Sequence, residues 1–220
     1  MFKTSKPIKN CLLFEFDNRK ELTLSFCRAE EYYEGKPSVN GKYISFETFI
    51  DEFMTDDGVI DYFYSWSGFN IPSKYYLEWS NQNAADKTKW ELKLANVISQ
   101  KLDISKPFYI IGALEGAHDV INHELAHALY SLNEKYKSSV IEISLQFRNK
   151  HLVEYTKIIK KLKSMGYGDN VAEDELQAYM STSTKKELVD RFKVDYDKIK
   201  PFVLKYRKLL QEYNTYKKRS

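Results

Sequence analysis

The sequence predicts an α+β fold within a single domain that spans residues 1–220. Short β-prone segments separated by polar turns fill the first third of the chain, and apolar residues recur at the helical period of about 3.6 from Ala84 onward. Neither an internal repeat nor a low-complexity linker divides the chain. We therefore expect a β-rich part over residues 1–83 and a helical part over residues 84–220.

The β-prone segments are short runs rich in branched and aromatic residues. Strands are predicted over residues 11–16, 22–26 and 107–112. Residues 43–46 begin a further candidate strand, which passes into a helix over residues 47–54. The aromatic run at residues 62–66 fits either a strand or a helix.

Apolar periodicity and capping signals define the predicted helices. They cover residues 84–102, 117–132, 138–164, 171–180 and 196–213. Thr184 and Glu187 have the capping-box spacing, in which each side chain bonds the backbone N–H of the other residue. This pair predicts the start of one more helix.

The net charge of +3 is close to neutral for a chain of this length. The excess of positive charge lies near the C-terminal end, at Lys205, Arg207, Lys208, Lys217, Lys218 and Arg219. No nucleic-acid motif accompanies these residues, so we interpret them as a solvated helix face. No run approaches the roughly 18 apolar residues of a membrane span. We expect neither a nucleic acid nor a membrane as a partner.

Two cysteines, Cys11 and Cys27, each lie within an apolar segment that has the character of a strand. Neighbouring strands could bring them together as a disulfide. We instead expect two buried free thiols, because the N-terminal segment lacks the apolar run of a signal peptide. The expected location is the cytoplasm, with secretion by a signal-independent route left open.

The pattern His-Glu-x-x-His occurs at His123, Glu124 and His127. Residues four apart lie on one face of a helix, so both imidazoles can reach a single metal ion. Glu124 projects about 100 degrees further round the helix, where it can reach a water on the metal but cannot join the same ligand set. The apolar residues between and after the histidines suit a buried helix.

A catalytic zinc site needs a third protein ligand and one open position. Three acids open the predicted helix at 171–180, namely Glu173, Asp174 and Glu175. The helix dipole favours acids in a first turn, and this accounts for Glu173 and Asp174. Glu175 lies deeper, beside apolar residues, and is harder to explain in that way.

The His-Glu-x-x-His helix followed by a Glu-x-x-Ala helix resembles the gluzincins, the thermolysin-like group of zinc peptidases. The resemblance covers these two helices alone. It implies a zincin-like fold in which Zn²⁺ is held by His123, His127 and Glu175, because the ligand glutamate of that group is commonly followed three residues later by a small residue, here Ala178. Glu173 ranks second as the ligand, and Asp174 last.

The sequence departs from the gluzincin pattern at Tyr179, where many members carry an aspartate that orients a metal-bound histidine. The Tyr179 hydroxyl, another carboxylate such as Asp119, or a backbone carbonyl could take that role. His118 is interpreted as a cap or rim residue, and His151 as a residue on the polar face of its helix.

The resemblance implies a metalloendopeptidase in which a zinc-bound water loses its proton to Glu124 and attacks the peptide carbonyl. Tyr179 or Tyr167 would stabilise the oxyanion. Zincins also present an edge strand to an extended substrate, a role open to residues 108–112, although an interior strand is an equal alternative. The expected partner is a peptide or protein substrate, and the oligomeric state stays open. The main alternative is an inactive zinc-binding module for protein contact or regulation.

Overall fold

The computed structural model describes residues 1–35, 38–60, 62–168 and 171–216. It is α+β, with a small mixed sheet of four strands and a mostly helical remainder. The chain divides into two compact units, Met1–Ile121 and Asn122–Ser220, and each is described by itself. The expected single domain stays a prediction.

The sheet belongs to the first unit. Its strands are β1 (Phe2–Ser5), β2 (Cys11–Phe16), β3 (Gly68–Pro72) and β4 (Tyr109–Leu114). Their order is β1-β2-β4-β3, with β4 parallel to β2 and antiparallel to β3. The strand predicted at 107–112 is therefore confirmed as β4, but its possible role as a substrate-binding edge is wrong, because hydrogen bonds to β2 and β3 occupy both of its sides.

The helices of the first unit are α1 (Arg19–Glu34), α2 (Phe46–Phe53), α3 (Tyr62–Ser65), α4 (Ser73–Ser80) and α5 (Lys89–Lys101). The strand predicted at 22–26 is wrong, because these residues lie inside α1. Asn18 caps this helix by accepting a hydrogen bond from the backbone N–H of Glu21. The helix is buried on nearly all sides, Thr23 and Ser25 included, so its alternation of apolar and polar residues does not mark an exposed face.

The structure also tests the remaining predictions for the first unit. The strand predicted at 43–46 is wrong, because Ser45 is the N-cap of α2; the helix predicted at 47–54 is confirmed. The ambiguous run at 62–66 contains the short helix α3. The sequence reading missed β1 and β3, which are short and carry polar residues.

Arg28 on α1 forms a buried ion pair with Glu91 on α5. Its guanidinium is buried and bonds the Glu91 carboxylate twice, at 2.8 and 2.6 Å, and it also contacts Asp86. Bidentate pairing of this kind compensates the cost of burying an arginine. Cys11 and Cys27 are buried free thiols, as expected, although Cys27 lies on α1 rather than on a strand.

The second unit is helical. It contains most of α6 (His118–Leu132), followed by α7 (Glu134–Lys150), α8 (Leu152–Ser164), α9 (Ala172–Thr182), α10 (Lys185–Phe192) and α11 (Tyr196–Tyr213). The single helix predicted at 138–164 is wrong: His151 adopts φ −137° and ψ 56° and separates α7 from α8. The capping box of Thr184 and Glu187 is confirmed at the start of α10. Helix α9 packs against α7, α8 and α11.

Two functional expectations concern charge and membranes. On α11, Arg207 donates to the Ser183 carbonyl at 2.6 Å and Lys205 donates to the Gln146 side chain at 2.5 Å, so part of the basic segment serves local packing. The calls on Lys217, Lys218 and Arg219 lie outside the described residues. Within the described ranges, none of the helices has the length and apolar character needed to span a membrane.

Replacing Gly112 with alanine should destabilise the first unit. A Cβ atom at this position in β4 would lie 2.6 Å from Phe26 Cε2 and 2.9 Å from Leu22 Cδ1, both in the buried face of α1. Overpacking of this kind costs about 1–3 kcal/mol. Urea unfolding of Gly112→Ala measures the loss. The loss should shrink when Phe26→Leu is already present, and an unchanged midpoint in Gly112→Ala would contradict the packing described here.

Candidate metal centre

Helix α6 brings two imidazoles to a common point. His123 and His127 lie one turn apart, and their Nε2 atoms are 3.3 Å from each other. Leu125, Ala126 and Ala128 are fully buried, so the helix is anchored by its apolar residues while the imidazoles face the second unit's interior. The predicted convergence of the two histidines is confirmed.

Helix α9 supplies the acidic side of the centre. Glu175 is buried, and its Oε1 lies 3.6 Å from His127 Nε2. One ligand atom from each of His123, His127 and Glu175 lies within 4.8 Å of the others, so these three residues could hold a metal ion. Among the described residues, neither Glu173 nor Asp174 joins this group.

The distance between the two Nε2 atoms fits ligands of a tetrahedral ion. Zn–N bonds of about 2.0–2.1 Å at a tetrahedral angle place two nitrogen ligands about 3.3 Å apart. The two Nε2 atoms are separated by 3.3 Å. Two imidazoles and one carboxylate also form the donor set of a catalytic zinc site, which keeps one position open.

Asp174 sets the tautomer of His127. The Nδ1 atom of His127 lies 2.9 Å from Asp174 Oδ1. The same oxygen accepts from Gln177 Nε2 at 2.9 Å, and Gln177 Oε1 accepts from the Tyr136 hydroxyl at 2.8 Å. With a proton on Nδ1, the Nε2 lone pair faces the centre, as a metal ligand requires. Asp174, ranked last as a ligand, is thus the carboxylate partner of His127.

Thr182 contacts the Nδ1 atom of His123, as Asp174 contacts that of His127. Its hydroxyl donates to the Ala178 carbonyl at 2.6 Å and lies 3.2 Å from His123 Nδ1. A hydroxyl has one proton, so Thr182 accepts from Nδ1–H and leaves Nε2 free to bind a metal. Asp119 is not this partner. Sequence reasoning missed Thr182, although it follows Glu175 by seven residues and so lies on the same face of α9.

Glu124 lies beside the ligand group rather than within it. Its side chain is buried, and its charge is one of those that raise the pKa of His127. This position agrees with a carboxylate that reaches a water near the metal. Its role as a general base stays a prediction.

Tyr179 contacts the centre through its ring. The ring meets the His123 imidazole edge to face, with centroids 4.9 Å apart, and also packs against Phe192. Thr182 occupies His123 Nδ1, so the Tyr179 hydroxyl is not needed to orient that histidine. Stabilisation of an oxyanion by Tyr179 or Tyr167 stays a prediction.

The two other histidines stand apart from the ligand group, as far as the described residues extend. His118 is the first residue of α6. His151 separates α7 from α8, and its ring contacts the Phe202 ring with centroids 5.9 Å apart. The interpretation of His151 as a residue on the polar face of a helix is therefore wrong, because it lies between two helices.

The two ligand histidines have opposite pKa shifts. Burial lowers the pKa of His123 well below its ordinary value, and the positive charges of His127 and Arg191 lower it further. Burial also lowers the pKa of His127, but Asp174 and Glu175 outweigh it and raise the pKa well above the ordinary value. The same carboxylate field that favours a proton at His127 favours a bound cation.

If His123, His127 and Glu175 hold a metal ion, removing one of these side chains should remove it. We expect His123→Ala and Glu175→Ala each to purify with far less than one equivalent of metal, because only two protein ligands remain. Metal analysis of the purified proteins measures this. Glu173→Gln is the matched control and should keep its metal. Full occupancy in Glu175→Ala would contradict the assignment of the third ligand.

Replacing Asp174 with asparagine should weaken metal binding without removing a ligand. The amide no longer fixes a proton on His127 Nδ1 as a carboxylate does, and loss of such a partner typically lowers metal affinity about 10–100-fold. Competition with a chromophoric chelator measures the affinity, with Glu173→Gln again as the control. Equal affinities in the two variants would show that Asp174 does not orient His127.

No family model matches the chain, and neither a curated protein nor a solved structure is significantly similar to it. The resemblance to gluzincins therefore rests on the residues of α6 and α9.

Proposed function

We propose that this chain is a zinc-dependent metalloendopeptidase with a zincin-like fold. The observation that carries the proposal is the meeting of His123, His127 and Glu175, with Glu124 next to the first ligand in sequence. The two Nδ1 contacts support it, because a hydrogen bond at each Nδ1 leaves Nε2 as the nitrogen that can bind a metal.

The donor set favours a transition metal such as zinc over magnesium and calcium. Nitrogen and carboxylate ligands suit zinc, whereas magnesium and calcium prefer sites made of oxygen ligands. Three protein ligands also leave a position for water or substrate, unlike structural zinc sites, which are closed by four protein ligands. An active site is therefore favoured over an inactive module for protein contact.

A zinc ion bound here would acidify a water and polarise the peptide carbonyl. Glu124 then has two tasks. It takes a proton from the attacking water as general base and returns it to the amine that leaves. A carboxylate buried next to the centre can perform both transfers in place because the side chain stays close to both reacting groups.

The surrounding residues hold the imidazoles still during these transfers. Asp174 and Thr182 fix the two Nδ1 atoms, and Gln177 and Tyr136 support Asp174 from behind. His123 is partly exposed, whereas His127 and Glu175 are buried. The side of His123 is therefore the more accessible side of the centre, and the proposed peptide substrate is placed there.

Glu124→Gln tests the mechanism. The variant should retain zinc and lose about 10²–10⁴-fold in kcat, because the amide cannot accept the proton of the water. Cleavage of a broad peptide library, followed by mass spectrometry, measures the activity, and zinc analysis confirms occupancy. Glu142→Gln, on the exposed side of α7, is the control.

Full activity of Glu124→Gln on every peptide that the parent cleaves would rule out this mechanism. A parent protein that binds zinc and cleaves no peptide in the library would instead favour the inactive binding module.

A further inference from the structure

Arg191 extends the metal centre towards solvent. Its guanidinium carbon lies 4.6 Å from the centroid of the Tyr179 ring, and that ring lies 4.9 Å from the His123 imidazole. Arg191 itself is exposed. These two contacts therefore connect the most accessible residue of the candidate ligand group, through one aromatic ring, to a positive charge at the surface.

The Arg191 guanidinium interacts electrostatically with Glu187 but makes no direct ion pair in the described part of the chain. Within residues 1–35, 38–60, 62–168 and 171–216, no carboxylate lies within ion-pair distance of its guanidinium. The nearby acids have other partners: Glu187 accepts from the Thr184 backbone N–H at 2.6 Å, and Asp190 pairs with Lys186 at 2.5 Å. The stacked guanidinium thus keeps its outward N–H donors available for a ligand.

Arg191 also lines a shallow surface depression together with two lysines. The lining residues are Lys161, Glu187, Asp190, Arg191 and Lys193. Three of these side chains are basic and two are acidic, so the depression presents a positive balance of charge to an approaching molecule.

The charge is close enough to act on a substrate held at the metal. Since the guanidinium-to-ring and ring-to-ring separations are 4.6 and 4.9 Å, the guanidinium lies within about 10 Å of the His123 ring, the Debye length at about 0.1 M salt. An extended peptide advances about 3.3–3.6 Å per residue. A group two or three residues from the cleaved bond therefore reaches Arg191.

We propose that Arg191, stacked on Tyr179, binds a carboxylate of the substrate two or three residues from the cleaved bond, which makes it a specificity-determining residue. This inference rests on the proposed peptidase function. The carboxylate belongs either to an aspartate or glutamate side chain or to the C-terminus of the peptide. Planar guanidinium groups bind carboxylates through two parallel hydrogen bonds, and stacking on an aromatic ring holds the plane in place.

Peptide binding to zinc-loaded Glu124→Gln tests this inference without any need for turnover. The neutral probe is acetyl-Ala-Ala-Phe-Leu-Ala-Ala-amide. A second set places glutamate at each position in turn, and a third probe has a free C-terminal carboxylate. Isothermal titration should show that at least one carboxylate-bearing probe binds about tenfold tighter than the neutral one, the size of a hydrogen bond to a charged group at an exposed site.

Variants of Arg191 assign the preference. In the Glu124→Gln background, Arg191→Ala should abolish it, and Arg191→Lys should keep part of it. Lys208→Ala, which removes the same charge at an exposed position on α11, should leave it intact. A preference confined to the free C-terminus identifies a C-terminal carboxylate, and one confined to glutamate probes identifies an acidic side chain.

A structural role for Arg191 gives a different result. Loss of the stack on Tyr179 would lower zinc content and thermal stability and would weaken all probes equally, leaving their ratio unchanged. An equal weakening of all probes would overturn the proposal. So would a carboxylate preference that survives Arg191→Ala, and so would equal binding of the neutral and acidic probes by the Glu124→Gln protein. Cleavage by the parent protein is measured separately, so failure of the peptidase function remains distinguishable from failure of carboxylate recognition.

Discussion

The candidate site depends on one buried cluster, in which two consecutive acids of α9 contact the same imidazole of α6. Asp174 bonds His127 Nδ1 and Glu175 approaches His127 Nε2, although the two acids are neighbours in sequence. Burying these charged and polar groups is costly unless they satisfy one another. The pairing therefore fixes where α9 lies relative to α6, and Thr182 reaches His123 from the same helix.

This arrangement differs from the gluzincin pattern in a specific way. There, an aspartate four residues after the ligand glutamate orients a histidine; here Tyr179 occupies that place and contributes its ring to His123. In this chain the carboxylate that contacts a histidine Nδ1 belongs to Asp174, directly before Glu175. Helical geometry permits this, because neighbouring residues project about 100 degrees apart and so approach one imidazole ring from two sides.

The electrostatics of the centre also follow from burial. His127 lies among acids and favours a positive charge, whereas His123 lies near other cations and resists one. A divalent ion bound by both Nε2 atoms would compensate the negative charge of Asp174 and Glu175 and would leave both imidazoles neutral, since metal ligation requires a deprotonated nitrogen. The exposed Arg191 beyond His123 differs from this centre, because its positive charge favours anionic rather than cationic ligands.

The sequence by itself determined that His123 and His127 share one helix face, because residues four apart on a helix must do so. It also identified β2, β4 and the capped start of α10, whose signals are local. The sequence ranked Glu175 above its neighbours as the third ligand. It did not predict that Asp174 contacts His127 Nδ1 or that Thr182 contacts His123 Nδ1. Tertiary structure decided those contacts, since they join residues about 50–60 positions apart, beyond the reach of any helical or strand period. It also decided that residues 22–26 form a helix: a segment buried on every side has no exposed face for periodicity to reveal.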